Sequence, residues 1–154
     1  MHLTSILPPE AVLAHFPARD KKQALKLLAA QAAQQAGLPE REIYSVLMER
    51  EHIGCTGMGS GVCIPHGRFV HINGLHAVFA RLDQPIEFGA ADGRPVDLIF
   101  LLLTPLSANT EHLKALAMIS RLLRDKRLCE SLRKTTDAKA LYALLTTERG
   151  EDAA

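Results

Sequence analysis

Val96 to Leu103 reads VDLIFLLL, apolar at every position but Asp97, and Thr104 and Pro105 close the run. Eight residues are too few for a typical helix, and the near absence of polar alternation is the pattern of a strand covered on both faces. Such a strand belongs at the centre of a sheet. Upstream, Leu75 to Leu82 (LHAVFARL) is a second short apolar run, preceded by the Asn-Gly turn signal in His71 to Gly74 (HING). Val62 to Ile64 and Ile86 to Phe88 read as shorter strands, the latter leading into the turn-rich GAADGRP.

Helical patterns flank these strands. Asp20 to Ala36 is rich in helix formers, with apolar residues at 24, 25, 27, 28, 32 and 36, and Gly37 ends it. Pro39 suits the first turn of a second helix to about Glu51, with Ile43, Val46 and Leu47 inward. After the apolar run, a helix is expected from Asn109 to Asp125, with Asn109 or Ser107 as N-cap, Glu111 favourable in its first turn, and Leu113, Leu116, Ala117 and Leu123 inward. Helices near Arg127 to Leu132 and Asp137 to Leu145 precede a polar tail. The pattern predicts one α/β domain, with α+β as the alternative, built on a mixed sheet flanked by helices.

At 154 residues, 47% hydrophobic and 23% charged, the chain fits a single globular domain that folds without disulfides or metal. Eighteen basic and 17 acidic residues, a net charge of +1, give no electrostatic case for nucleic acid or an anionic membrane. No apolar run has the length of a spanning helix. The opening MHLTSILPPEAVLAHF lacks the features of a secretory signal, which predicts a cytoplasmic protein. Cys55, Cys63 and Cys129, odd in number and without CxxC spacing, read as reduced thiols.

The chemistry is expected in Gly54 to Phe69, GCTGMGSGVCIPHGRF. Pro65 positions the chain entering His66, and Gly67 adds no side chain to obstruct an approaching molecule. Gly57, Gly59 and Gly61 permit positive φ, and amides in such a loop can converge on an anion. An imidazole beside an oxyanion cradle is one reading; a tight turn beside an ordinary histidine is the other. A P-loop is disfavoured, because GMGSG lacks the following Lys and Ser/Thr. Zinc held by Cys63, His66 and His112 lacks paired spacing and a fourth ligand. Hydrolysis by Ser60 or Cys55 lacks a nucleophile elbow. His112 falls in the first turn of the helix from Asn109, where free amides favour an anion, and Arg50 precedes the loop and can pair with phosphate. Taken singly, His112 also reads as a helix-surface or satisfied histidine and Arg50 as a solvated helix end.

Four segments in order, MERE at 48 to 51, TGMGSGVCIPHG at 56 to 67, PVDLIFLLLTP at 95 to 105 and HLKALAMISRLLRDK at 112 to 126, give the chain a family likeness. It resembles the fructose/mannitol-type enzyme IIA domains of the bacterial phosphotransferase system, particularly the nitrogen-regulatory branch, IIA-Ntr, which the opening LTSILPPEAVL also resembles. The resemblance implies a helix-flanked mixed sheet and a phosphoryl relay without metal or cofactor. It implies that His66 is the phosphorylated histidine, through Nε2 with Nδ1 held by a backbone carbonyl. His112 and Arg50 would be the other active-site groups, with Thr56, Gly57, Gly59, Gly61 and Gly67 forming the phosphoryl-binding loop. The implied donor is an HPr-like carrier, and the implied targets are regulatory partners such as potassium-transport proteins or sensor kinases. Passing phosphate to a sugar-specific enzyme IIB, or regulating partners without phosphate, are the competing roles. Departures are Cys55 where serine is common, Cys63 where alanine is common and Arg68 where lysine is common; Cys63 leaves oxidation sensitivity open.

Overall fold

The computed structural model describes residues 1–147, so the expected polar tail lies, from residue 148 on, outside the described residues. Within these residues six strands form one mixed sheet: β1 (Val12–Leu13), β2 (Gly57–Gly59), β3 (Val62–Cys63), β4 (His66–Phe69), β5 (His76–Ile86) and β6 (Val96–Pro105). The order is β1-β5-β6-β3-β2, and β4 continues along β6 beside β3. β6 is central as expected. It runs antiparallel to β5 and parallel to both β3 and β4, while β1 is parallel to β5 and β2 antiparallel to β3.

Among the described residues five α-helices cover the sheet: α1 (Lys21–Ala36), α2 (Glu40–Ile53), α3 (Asn109–Arg124), α4 (Lys126–Lys134) and α5 (Ala138–Thr146). Asp20 caps α1 by accepting from the Gln23 amide at 2.8 Å. Side chains alternate across a strand, so the register sorts residues by face. Phe79 pairs with Phe100, their rings 5.7 Å apart, and Arg81, paired with Leu98, reaches the Arg133 carbonyl at the end of α4. The even-numbered residues of β6 therefore face α3 and α4. Gly67, paired with Leu103, lies under Val46 of α2, so the odd-numbered face belongs to α1 and α2.

Several expectations need correction. Ile86 is the last residue of β5, and Phe88 lies in the loop beyond it, where it packs in the core; the two do not form a separate strand. β4 went unrecognised in the sequence. The turn at Asn73 and Gly74 joins β4 to β5, yet these strands do not pair, because β6 lies between them. Along α3 the buried residues are His112, Ala115, Ile119 and Leu123, whereas Leu113 is 66% exposed and Ala117 is exposed. Leu123 is inward as expected and Leu116 packs partly against the core, while His112 and Ala115 take the inward places expected of Leu113 and Ala117. Among the described residues no helix is long and apolar enough to cross a membrane.

Candidate functional site

β3 and β4 are two pieces of one path along β6. Val62 and Cys63 pair with Leu98 and Ile99, and His66 to Phe69 pair with Leu102 to Pro105 in the same register. Pro65 breaks the path without shifting it, because it has no N–H for the ladder while its carbonyl still accepts from the Leu102 amide at 3.0 Å. His66 opens the second piece. Its Nδ1 lies 2.7 Å from the Ile64 carbonyl oxygen. A carbonyl only accepts, so Nδ1 carries the hydrogen and Nε2 keeps the lone pair of a nucleophile.

His66 and Arg68 share the even-numbered face with their partners Leu102 and Thr104, and α3 closes over that face with His112. The His66 and His112 rings stand 5.9 Å apart between centroids and are tilted by 52°. His112 is buried, and its Nδ1 lies 2.7 Å from Thr104 Oγ1. Burial pushes its pKa down, and charge coupling to the neighbouring His66 and Arg68 adds in the same direction. Arg68 donates through Nη2 to the Leu106 carbonyl at 2.5 Å and to Asn109 Oδ1. Asn109 is thus not the N-cap; Ala108 holds that position and Ser107 precedes it, with no side-chain cap bond on α3.

The other expected site residues are placed differently. Arg50, in the last turn of α2, donates from Nη1 to the Gly54 carbonyl at 3.0 Å, its one side-chain hydrogen bond among the described residues. Thr56 faces α2: its hydroxyl donates to Glu51 Oε2 and its amide lies 3.4 Å from Glu51 Oε1. The Gly57 amide lies 3.3 Å from Cys55 Sγ. Gly59 and Gly61 take φ of +89° and +82° in the turn joining β2 to β3. That turn sits at the start of β6, where the Asp97 amide donates to the Gly61 carbonyl at 3.0 Å and Arg133 donates to the Ser60 carbonyl at 2.6 Å. By register it is about 16 Å along the strand from His66. Gly59 and Gly61 therefore shape a remote hairpin, not a cradle for His66. Gly67 is buried beneath α2, where its missing side chain admits a helix and not a ligand.

The side chains weighed as zinc ligands do not converge, since Cys63 shares the odd-numbered face with Ile99 and bonds Thr56, whereas His66 and His112 meet on the other. Burial pushes the Cys63 thiol well up, away from the reactive thiolate. Three contributors escaped the sequence reading. Thr104 looked like the end of a strand, Arg68 like a departure from the family, and Glu51 like the last residue of a helix. Only a hydroxyl inside a buried apolar run could have flagged the first. Glu51 is in fact buried, paired with Lys21 Nζ at 2.9 Å.

The model of the EIIA 2 family of the phosphoenolpyruvate-dependent sugar phosphotransferase system matches residues 5–148. The "Nitrogen regulatory protein" of Bradyrhizobium diazoefficiens is 49% identical over 145 residues, 94% of this chain and 95% of its own length. The crystal structure of nitrogen regulatory protein IIA-Ntr from Neisseria meningitidis superposes with a TM-score of 0.89 at 33% identity, covering 94% of this chain and 99% of that one. IIA mannitol from Escherichia coli shares the fold at a TM-score of 0.75 and 23% identity, over 88% of this chain and 96% of that one. A helix-covered mixed sheet, a histidine aimed by its own backbone and a match along nearly the whole length agree: the chain belongs to the EIIA 2 family of the phosphoenolpyruvate-dependent sugar phosphotransferase system.

Proposed function

We propose that the chain is a phosphohistidine carrier of the nitrogen-regulatory type, which accepts a phosphoryl group on His66 from an HPr-like protein and regulates partners by its phosphorylation state. The observation that carries this reading is the hydrogen bond from His66 Nδ1 to the Ile64 carbonyl, which leaves Nε2 as the attacking atom. The Nε2 lone pair forms the new N–P bond as the donor's N–P bond breaks, and that electron pair returns to the donor imidazole. The hydrogen on Nδ1 stays against Ile64, where the carbonyl dipole stabilises the positive charge the ring gains.

Little covalent work remains for the protein, so positioning and charge stabilisation dominate. His112 stands across from His66 to share the transferred oxygens, and Arg50 turns from the Gly54 carbonyl towards them when the dianion arrives. The new charge at a half-buried histidine alters the surface a partner meets, which is enough to select among partners. The 49% identical relative named as a nitrogen regulatory protein supports this branch over sugar transport. We place the carrier in the cytoplasm with its donor.

The test is intact-protein mass spectrometry after incubation with phosphoenolpyruvate, enzyme I and a matched HPr-like carrier. One acid-labile phosphoryl addition to wild type and none to His66→Ala is expected. Equal labelling of the variant overturns the site. No labelling of wild type by a verified donor system points instead to a phosphate-independent regulatory module, and efficient passage to a sugar-specific enzyme IIB points to transport.

A further inference from the structure

We propose that Thr104 is a positioning residue for phosphoryl transfer: its hydroxyl donates to His112 Nδ1, so that His112 presents a hydrogen on Nε2 to the phosphoryl group on His66. The inference rests on the phosphocarrier reading and assigns the chemistry of its second histidine. Thr104 is completely buried on β6, two residues beyond the partner of His66 and on the same face. Its bond to His112 Nδ1, 2.7 Å long, is the hydroxyl's only one among the described residues.

Two proton arrangements fit that distance. If Nδ1 donated, the threonine hydrogen would be left in the core without an acceptor. If the hydroxyl donates, only a spare lone pair on its oxygen goes unused, the smaller penalty for a buried group. The second arrangement puts the ring hydrogen on Nε2. Burial and the adjacent His66 and Arg68 keep His112 neutral near pH 7, so it has one ring hydrogen and Thr104 decides where it sits. Pinning Nδ1 also fixes the ring plane, so the donor is aimed before the phosphoryl group arrives.

The test joins nitrogen-15 spectroscopy of the histidine rings above pH 7 with the rate of transfer from a phosphorylated HPr-like carrier. His112 signals are assigned by their loss in His112→Gln. Wild type and Thr104→Ser should show His112 protonated on Nε2 and transfer within about threefold of each other. Thr104→Val, of nearly the same shape, should lose that single tautomer and slow transfer about tenfold, the effect of one hydrogen bond. A wild-type hydrogen on Nδ1 overturns the proposal, as does Thr104→Val with an unchanged spectrum and rate. Thr104→Ser failing as badly as Thr104→Val while folded would also overturn it, since shape and not the hydroxyl would then matter. Should wild type take no phosphoryl group, the phosphocarrier reading fails, while the spectra still decide whether Thr104 sets the tautomer.

Discussion

Gly67 and Val46 meet where β4 passes beneath α2, and a methyl group on Gly67 would lie 2.8 Å from Val46 Cγ1. Valine is stiff at χ1 in a helix and cannot swing clear. Gly67→Ala should therefore cost about 1–3 kcal/mol, the usual penalty of overpacking. Urea unfolding checks this, and adding Val46→Ala should restore part of the loss. Equal stability of Gly67→Ala and wild type would show that α2 yields freely.

The hairpin between β2 and β3 should separate stability from chemistry. Gly61 has φ of +82°, and a Cβ there would lie 2.7 Å from Arg133 Nη2 and 3.0 Å from Asp97 Oδ1. Gly61→Ala should lower stability by about 1–2 kcal/mol through backbone strain and crowding. Its rate of phosphorylation per folded molecule should stay within about twofold of wild type, measured by the mass shift over time. A large loss in well-folded protein would return this turn to the active site.

Glu51 accepts from Thr56 and pairs with Lys21, with side-chain exposures of 3% for Glu51 and 29% for Lys21. Lys21→Met strands the carboxylate. Because the lysine end is partly solvated, we expect a loss of about 2–3 kcal/mol, below the 3–5 kcal/mol of a fully buried pair. Adding Glu51→Gln should recover much of it, as a neutral amide can still accept from Thr56. Denaturant midpoints of the two single variants and the double variant measure the coupling.

Acid should weaken the fold through His112. Its folded-state pKa lies below the ordinary value of about 6.5, pushed down by burial and by His66 and Arg68. Below that value the unfolded chain binds a proton that the folded chain refuses, so stability falls as pH drops from about 6.5 through the folded pKa. His76, also lowered by burial, adds in the same direction. Urea midpoints should be lower at pH 5.5 than at pH 7.5, and the difference should shrink in His112→Gln.

β6 was legible because seven of the eight residues in VDLIFLLL are apolar, and burial on both faces demands that pattern. His66 and His112 were found, and the structure brings them together. Other features depend on partners distant in sequence. β4 holds a glycine and an arginine, and it is a strand because β6 offers it a ladder. Asn109 looked like a cap until Arg68 claimed its oxygen. The glycines at 59 and 61 announce a positive φ without saying what the turn surrounds, and only the register with β6 removes them from His66.

The pairing of β2 with β3 continues past Gly57 and Cys63, because the Ile64 amide donates to the Thr56 carbonyl at 3.1 Å. A regular antiparallel rung would return a bond from the Thr56 amide to the Ile64 carbonyl. Here the Thr56 amide turns to Glu51, and the Ile64 carbonyl receives His66. The sheet edge gives up half a rung, and the relinquished acceptor becomes the tether of the His66 ring. The aim of His66 is thereby tied to a carboxylate on the far side of the sheet, and any shift of α2 that returned Thr56 to its rung would contest the tether.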